Sequence, residues 1–323
     1  MNRILFLLLC LMLCFPALSS AEEAPLSVIA TNFPAFDFAR SLAGGTADVQ
    51  MLLPPGSESH SYEPTPQDII AIQSCDLFIY TGGESDSWIE SILASMGSSA
   101  PQTFRMSDQV TLLASETTAS MEHSHGHEHD ELWQCSDPEH IHEEGHIHEM
   151  DEHVWTSPKN AMRITAALKD MLCLLNPVAE SVYYANFEAY QAELARLDSA
   201  FEEIVASGKR DLILFGDRFP LRYFADAYHL RYDAAFPGCS EDSEPSVRTV
   251  ISLVDTIRRE QIPVIFYIDF SSRRTADILA EETGAKPLLF HSCHNVSAGE
   301  MQDGATYLSL MWHNTEALKE ALN

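Results

Sequence analysis

The sequence contains few basic residues for its length. Lys and Arg together number 19 against 48 Asp and Glu, which gives the 323-residue chain a formal net charge of −29. Such a surface repels phosphate backbones and attracts cations, so we predict no nucleic-acid partner. After the first residues the chain also lacks an apolar run of about 18 residues, the length of a membrane-spanning helix. The length and the 46% hydrophobic content predict two domains of ordinary size.

Residues 1–21 have the pattern of a secretory signal peptide, with a basic start, an apolar stretch and small residues at 17–21. A lipid anchor would need a small residue immediately before a cysteine, whereas Cys10 and Cys14 both follow Leu. We therefore predict an exported protein of the periplasm or extracytoplasmic face, cleaved after Ala21 and carrying no lipid.

Five cysteines remain after the signal peptide, and an odd number cannot pair entirely within one chain. Export to an oxidising compartment permits a disulfide. Cys239 and Cys293 both lie in polar, turn-like contexts, so we predict that these two form a disulfide. Cys75 and Cys173 lie beside apolar runs and are predicted to behave as small hydrophobic residues.

Short apolar runs alternate with helical stretches, which predicts an α/β protein with two doubly wound lobes and mainly parallel sheets. The stretch from Val178 to Ala206 has no Gly or Pro and carries apolar residues at helical spacing, so we predict one long rigid helix that joins the lobes. The predicted boundaries are a signal peptide at 1–21, a first lobe at 22–176, the linking helix at 177–207 and a second lobe at 208–323. Strands are predicted at 26–31, 49–53 and 76–80 in the first lobe and at 211–215, 264–268 and 287–290 in the second.

One segment, residues 122–152, fits neither a strand nor a helix. It holds eight histidines and eleven carboxylates with no Lys or Arg, so we predict a mobile low-complexity loop that binds metal ions weakly. Its histidines are His123, His125, His127, His129, His140, His142, His146 and His148. The stretch His142–His146 matches the His-Glu-x-x-His pattern of zinc proteases, but Gly145 and the acidic surroundings disfavour the amphipathic helix that this pattern needs.

Three histidines outside this loop, His60, His153 and His291, lie next to predicted strand ends or a predicted helix start. Asp217 and Asp269 also end predicted strands. In open α/β sheets, ligands bind beyond the carboxyl ends of the strands. Two lobes that face each other there would bring these groups to one cleft, which predicts a metal site between the lobes.

Five stretches together extend over almost the whole chain after the signal peptide. They are Gly56–Asp68, Tyr80–Trp88, Glu152–Asn160, Asp217–Phe224 and Tyr307–Asn314. In wording and order they resemble the substrate-binding proteins of bacterial zinc and manganese ABC importers, the class with two lobes joined by one long helix. The His-rich acidic loop immediately before the second ligand resembles the zinc branch in particular.

The resemblance implies that His60 and His153 are the first two metal ligands and that a later ligand falls at or next to His291. The family's third ligand, a His or Glu, falls at Gly216, which has no coordinating side chain, so Asp217, another nearby carboxylate or water is left for the fourth position. Three imidazoles suit zinc better than manganese, which prefers oxygen ligands. A cysteine pair in the second lobe also occurs in relatives of the zinc branch.

We therefore expect an exported receptor that binds Zn²⁺, as a transported ligand rather than a cofactor, and delivers it to a membrane ABC permease. We expect it to act as a monomer and to catalyse no reaction. Two alternatives stay open at this point. A zinc-dependent hydrolase would also use three histidines and an open position, and a metal-buffering or adhesin protein would work through the His-rich loop.

Overall fold

The computed structural model describes residues 25–58, 61–121, 150–238 and 244–323. Over those ranges the chain forms two four-stranded sheets flanked by helices, and the strand pairings in both sheets are parallel. The two parallel α/β lobes predicted from the sequence are therefore confirmed. The predicted signal peptide and all eight histidines of the His-rich loop lie outside the described residues.

The first lobe is built around one sheet with an apolar core on each face. Its strands are β1 Leu26–Ala30, β2 Ala47–Met51, β3 Leu77–Tyr80 and β4 Gln102–Arg105, in the spatial order β2-β1-β3-β4. Its helices are α1 Phe33–Ala43, α2 Pro66–Ser74, α3 Ser87–Met96 and α4 Pro158–Leu175. Neighbouring residues of β1, Val28 and Ile29, belong to separate apolar clusters, as expected for a parallel sheet covered on both faces.

The second lobe repeats this arrangement. Its strands are β5 Leu212–Phe219, β6 Arg231–Pro237, β7 Val264–Tyr267 and β8 Lys286–Leu289, in the order β6-β5-β7-β8. Between α4 and β5 runs α5 Glu180–Ser207, and the helices of the second lobe are α6 Arg222–Ala227, α7 Val247–Glu260, α8 Arg274–Thr283, α9 Ala298–Gln302 and α10 Tyr307–Leu322. The pairing of β5 with β6 shifts register between Phe215 and Arg218, so the chain is irregular at this strand end.

Helix α5 is the long linking helix that the sequence predicts. It has 28 residues and a length of about 42 Å. Its buried side chains, which include Tyr190 and Leu197, face the core on one side of the helix, and the helix packs against α1, α4 and α10. Within the described ranges, no helix is both long enough and apolar enough to cross a bilayer.

The last helix, α10, connects the cores of the two lobes. Tyr307 at its first turn donates its backbone N–H to the fully buried carboxylate of Asp37 on α1, with an N···O distance of 2.9 Å. The Tyr307 hydroxyl donates to the carbonyl of Trp155 at 2.8 Å. The backbone N–H of Lys209, just after α5, donates to the carbonyl of Leu322 at the end of α10. Apolar residues of both lobes consequently form one continuous cluster.

A segment of the first lobe also crosses to the second lobe. This crossing segment, residues 110–121, follows β4 and a short 3₁₀ turn. The hydroxyls of Thr118 and Ser120 donate to the carboxylate of Asp233 on β6 at 2.6 and 2.8 Å. Ala114 forms an antiparallel bridge with Met150, where the described chain resumes. The crossing segment therefore lies beside the residues that lead into His153.

Candidate metal centre

His153 lies in a buried turn that the start of α4 holds in place. The residue is 0% exposed and precedes a 3₁₀ turn at Val154–Thr156. Helix α4 begins with Pro158, and the Ser157 side chain caps it by accepting a hydrogen bond from the backbone N–H of Asn160. The capped helix start thus fixes the backbone that carries the imidazole.

Two carboxylates adjoin the His153 ring. The Oδ1 atom of Asp151 accepts from the backbone N–H of His153 at 2.9 Å and lies 3.1 Å from ring Nδ1. Because a carboxylate only accepts, Nδ1 carries the proton and Nε2 carries the lone pair that can bind a metal. Burial lowers the pKa of His153, but the negative charges of Asp151 and Glu152 outweigh burial and raise it. A proton therefore competes with a metal for this ring more strongly than for an ordinary imidazole.

A second histidine, His294, meets His153 from the other lobe. The two ring centroids are 5.5 Å apart and the rings are nearly perpendicular. His294 also packs on the indole of Trp155 at 4.7 Å, and the Trp155 N–H donates to the carbonyl of Ser292 at 2.9 Å. Both histidines are buried, so each lobe contributes one imidazole to a buried position between the lobes.

A small interlobe cavity lies beside this histidine pair. It is lined by Ser57 and Glu58 from the first lobe and by Arg218 and Gly238 from the second, together with both histidines. Its volume is about 20 Å³, which accommodates roughly one water molecule or one ion. His60 lies outside the described residues, two positions after Glu58.

Polar contacts hold the lobes together around the cavity. The guanidinium of Arg218 lies 3.2 Å from the carboxylate of Glu58. The side-chain amide of Asn295, which follows His294, donates to the carbonyls of Pro54 and Ser57, each at 2.9 Å. The loop that leads to His60 is therefore fastened to the loop that carries His294.

His291 is not brought to His153. Its ring lies near His313, with the ring centroids 5.8 Å apart, and its Nε2 is 3.7 Å from the carboxylate of Glu300. Its backbone is held by Asn314, which accepts from the N–H and donates to the carbonyl. His291 does not line the interlobe cavity, so its position in the fold differs from that of His294 three residues later.

The end of β5 does not supply a ligand to this cavity either. Gly216 has no side chain, and a Cβ there would lie 2.6 Å from the Cα of Ala276 on α8. The two carboxylate oxygens of Asp217 accept from the backbone N–H groups of Arg218 and Ile268, at 2.8 and 3.2 Å. Asp217 therefore ties the end of β5 to the residue after β7, and it does not line the interlobe cavity.

The predicted disulfide is not shown. Cys293 is a free thiol, fully buried in the apolar cluster that both lobes share, while Cys239 lies outside the described residues. Burial, together with the nearby carboxylates of Asp269 and Asp37, raises the pKa of the Cys293 thiol. The Cys293 side chain thus packs in a core and not in a polar turn, and its pairing with Cys239 stays a prediction. Cys75 is buried as predicted, and Cys173 is partly buried.

The sequence patterns identified His153 but not the residues around it. Asp151 stands two positions before His153, and His294 stands three after His291, so both were visible as near neighbours of predicted ligands. In the part of the chain that the structure describes, no three His, Cys, Asp or Glu side chains are close enough to hold a metal. The described residues supply two imidazoles to the interlobe cavity, those of His153 and His294.

Two parallel α/β lobes joined by one long helix, with a histidine from each at the cleft, define the helix-linked class of substrate-binding proteins. The chain belongs to the family described as "ZnuA: Zinc-uptake complex component A periplasmic", whose model matches residues 28–321.

Individual relatives agree with this placement. The chain is 30% identical over 298 residues to the high-affinity zinc uptake system protein ZnuA of Bacillus subtilis, which covers 92% of this chain and 88% of that one. It is 28% identical over 298 residues to the zinc-binding lipoprotein AdcA of Streptococcus pneumoniae, spanning 92% of this chain and only 56% of AdcA. The crystal structure of the Zn(II)-bound ZnuA-like domain of that AdcA superposes with a TM-score of 0.73 at 25% identity, over 93% of this chain and 99% of the domain.

The name of one relative contradicts a prediction made from the N-terminal sequence. AdcA of Streptococcus pneumoniae is a lipoprotein, whereas the residues before Cys10 and Cys14 led to the prediction of a chain without lipid. That prediction is withdrawn, because the residue before a cysteine is a weak local signal compared with a relative that spans most of the chain.

Proposed function

We propose that the chain is an extracytoplasmic receptor that binds Zn²⁺ between its lobes and delivers it to an ABC-type membrane importer. The proposal is carried by the buried pair of His153 and His294 beside a cavity of one-ion size. Relatives named for zinc binding and zinc uptake support the same ion. Zinc is then the transported ligand, and the receptor acts as a monomer without chemical turnover.

We assign the ion to three imidazoles, His60 and His153 of the first lobe and His294 of the second. His294 replaces His291, the residue that the family resemblance implies, because the His294 ring lies 5.5 Å from the His153 ring and lines the cavity. Three histidines with an exchangeable fourth position are a common zinc ligand set. Asp217 is left out of the set because its oxygens accept backbone N–H groups.

Zinc titration against a competing chelator tests this ligand set. We expect His60→Ala, His153→Ala and His294→Ala each to weaken zinc binding at least about tenfold, because each removes one of three side-chain ligands. The matched control is His291→Ala, three residues from His294 in the same loop, for which we expect a change of less than about threefold. Thermal unfolding of the zinc-free variants checks that each one is folded.

Two outcomes would contradict the assignment in different ways. If His291→Ala weakened binding and His294→Ala did not, the second-lobe ligand would be His291. If His153→Ala bound zinc as tightly as the unsubstituted chain, the interlobe cavity would not be the binding site, and the proposed receptor function would lose its main support.

We also propose that the His-rich segment captures zinc weakly and raises its concentration near the cleft. Eight neutral imidazoles among carboxylates bind transition metals. The described residues on either side of this segment are Met121 and Met150. The capture role is separate from the tight site, because His60, His153 and His294 all lie outside residues 122–149.

A further inference from the structure

Asp151 joins three parts of the molecule through separate atoms. Its side-chain Oδ1 accepts from the backbone N–H of His153 and contacts the ring Nδ1. Its backbone N–H donates to the carbonyl of Leu113 in the crossing segment at 2.9 Å. Its backbone carbonyl accepts from the hydroxyl of Tyr223, on α6 of the second lobe, at 2.8 Å. Asp151 itself is only 5% exposed, so these contacts are shielded from water.

We propose that Asp151 is a positioning residue that fixes the orientation and tautomer of His153, and that Tyr223 of the second lobe holds Asp151 in place. The proposal rests on the proposed function, in which His153 binds zinc. In this proposal a residue of the second lobe, Tyr223, helps to orient a zinc ligand of the first lobe, His153. A carboxylate behind a metal-binding histidine selects the ring nitrogen that coordinates and limits rotation of the ring.

The geometry at Asp151 favours a single ring orientation. One oxygen atom receives both the backbone N–H of His153 and its ring Nδ1–H, at 2.9 and 3.1 Å, so the ring plane is tied to its own backbone. With Nδ1 directed at Asp151, Nε2 is the atom available for coordination. Rotation of the ring by half a turn would remove the contact between Nδ1 and the carboxylate.

Tyr223 is suited to hold Asp151. Its hydroxyl donates to the Asp151 carbonyl and also accepts from the backbone N–H of Leu113 at 3.2 Å, so it bridges the two chain segments that flank the Ala114–Met150 pair. Burial raises the pKa of Tyr223 to about 12, so the hydroxyl keeps its proton at neutral pH and remains a donor. Tyr223 is 3% exposed, so its hydrogen bond to Asp151 is shielded from water.

Histidine NMR and zinc titration together test the proposal. In the zinc-free full chain, long-range ¹H–¹⁵N correlation identifies the tautomer of His153, with His153→Gln used for assignment. We expect Asp151→Ala to abolish the exclusive Nδ1–H form and to weaken zinc binding by about tenfold or more. Asp151→Asn keeps an amide oxygen that accepts, so it should retain the Nδ1–H form and recover most of the affinity.

A pair of tyrosine variants tests the role of the second lobe. Tyr223→Phe removes only the hydroxyl, and we expect it to weaken zinc binding several-fold and to broaden or mix the His153 tautomer signal. The matched control is Tyr232→Phe, which removes a hydroxyl that also donates to the crossing segment, at Glu116, but not to Asp151. We expect Tyr232→Phe to leave both readouts unchanged.

The outcomes separate this proposal from the proposed function. If His153→Gln abolished tight zinc binding while Asp151→Ala kept the Nδ1–H tautomer, the positioning role would be overturned and the receptor would stand. If His153→Gln bound zinc normally, the proposed site would fail first. If Asp151→Ala did not fold, equal effects of Tyr223→Phe and Tyr232→Phe would still overturn the role of Tyr223, because both variants remove a hydroxyl bonded to the crossing segment and only Tyr223 reaches Asp151.

Discussion

Gly216 stands where the family resemblance implies a metal ligand, and local packing explains why no coordinating side chain fits there. A Cβ at this position would lie 2.6 Å from the Cα of Ala276. Helix α8 approaches β5 this closely because the position has no side chain, so a larger residue would push the helix away from the sheet. In our assignment the second lobe contributes its ligand from another loop, that of His294.

Asp86 gives a prediction about stability and pH. Its buried carboxylate accepts from the backbone N–H groups of Thr81 and Gly82 at 2.8 and 2.9 Å. Burial and the nearby charge of Glu152 raise the pKa of Asp86 to about 6, against the opposing effect of these hydrogen bonds. The folded protein thus binds this proton more tightly than the unfolded chain, so the contribution of Asp86 to stability falls as the pH rises from about 4 to about 6.

The Asp86→Asn variant should remove this pH dependence. We compare the free energy of unfolding of the variant with that of the unsubstituted chain at each pH. The difference should shift in favour of the variant by about 2 kcal/mol as the pH rises from about 4 to about 7.5. Urea unfolding of both proteins at several pH values measures the difference. A constant difference across that range would show that the Asp86 carboxyl titrates normally.

Sequence patterns predict which loops reach the cleft, but not which side chain in a loop faces it. His291 and His294 are three residues apart, and between them Cys293 has a φ of +59°, a left-handed conformation that is uncommon for a residue with a side chain. The Cys293 side chain at this turn is buried in the core, which the sequence does not reveal. Spacing alone therefore could not distinguish the two histidines, whereas His153, next to a capped helix start, was predictable.

At the scale of elements, the strands with short, continuous apolar runs were predicted, whether they lie inside a sheet or at its edge. The apolar runs of β1, β3 and β7 stand out in the sequence, and the structure has strands at each of them. The strands β4 and β6 were missed, because charged or polar residues interrupt their apolar residues. The edge strands β2 and β8 were predicted, so position at a sheet edge does not by itself explain the misses.

One carboxylate, that of Asp233, accepts two of the hydrogen bonds that attach the crossing segment to β6. We expect Asp233→Ala to lower the free energy of unfolding by about 1.5–3 kcal/mol, because it removes the acceptor for both Thr118 and Ser120. Urea unfolding measures the effect. The matched control is Asp226→Ala on the neighbouring α6, whose side chain is 57% exposed with only a 3.9 Å ion pair, and which should change stability by less than about 0.5 kcal/mol. Equal losses in the two variants would contradict the anchoring role.

For the whole molecule, the division between tight binding and weak capture leads to a deletion experiment. Replacing residues 122–149 with a short Gly-Ser linker should leave the tight zinc affinity within about threefold, because the three assigned ligands are outside the deletion. The additional weak zinc equivalents should disappear, and in the full chain they should be lost below about pH 6 as imidazoles become protonated. Native mass spectrometry with zinc titration counts both classes of site.

A variant of unchanged length provides the control for this deletion. Substituting all eight histidines of the segment by Asn should remove the weak equivalents to the same extent as the deletion. Loss of nearly all zinc binding in either variant would favour a metal buffer that works through the segment. Zinc-dependent proteolysis that disappears on Glu143→Gln would favour a hydrolase.

The contact between Tyr307 and Asp37 has a consequence for the order in which the chain can fold. The core of the first lobe includes residues of α10, about 270 positions after α1, so that lobe cannot complete its core before α10 is available. The first lobe of an emerging chain would therefore remain incompletely folded until α10 has been made. We expect the native state of the first lobe to depend on a helix that follows the second lobe in the sequence.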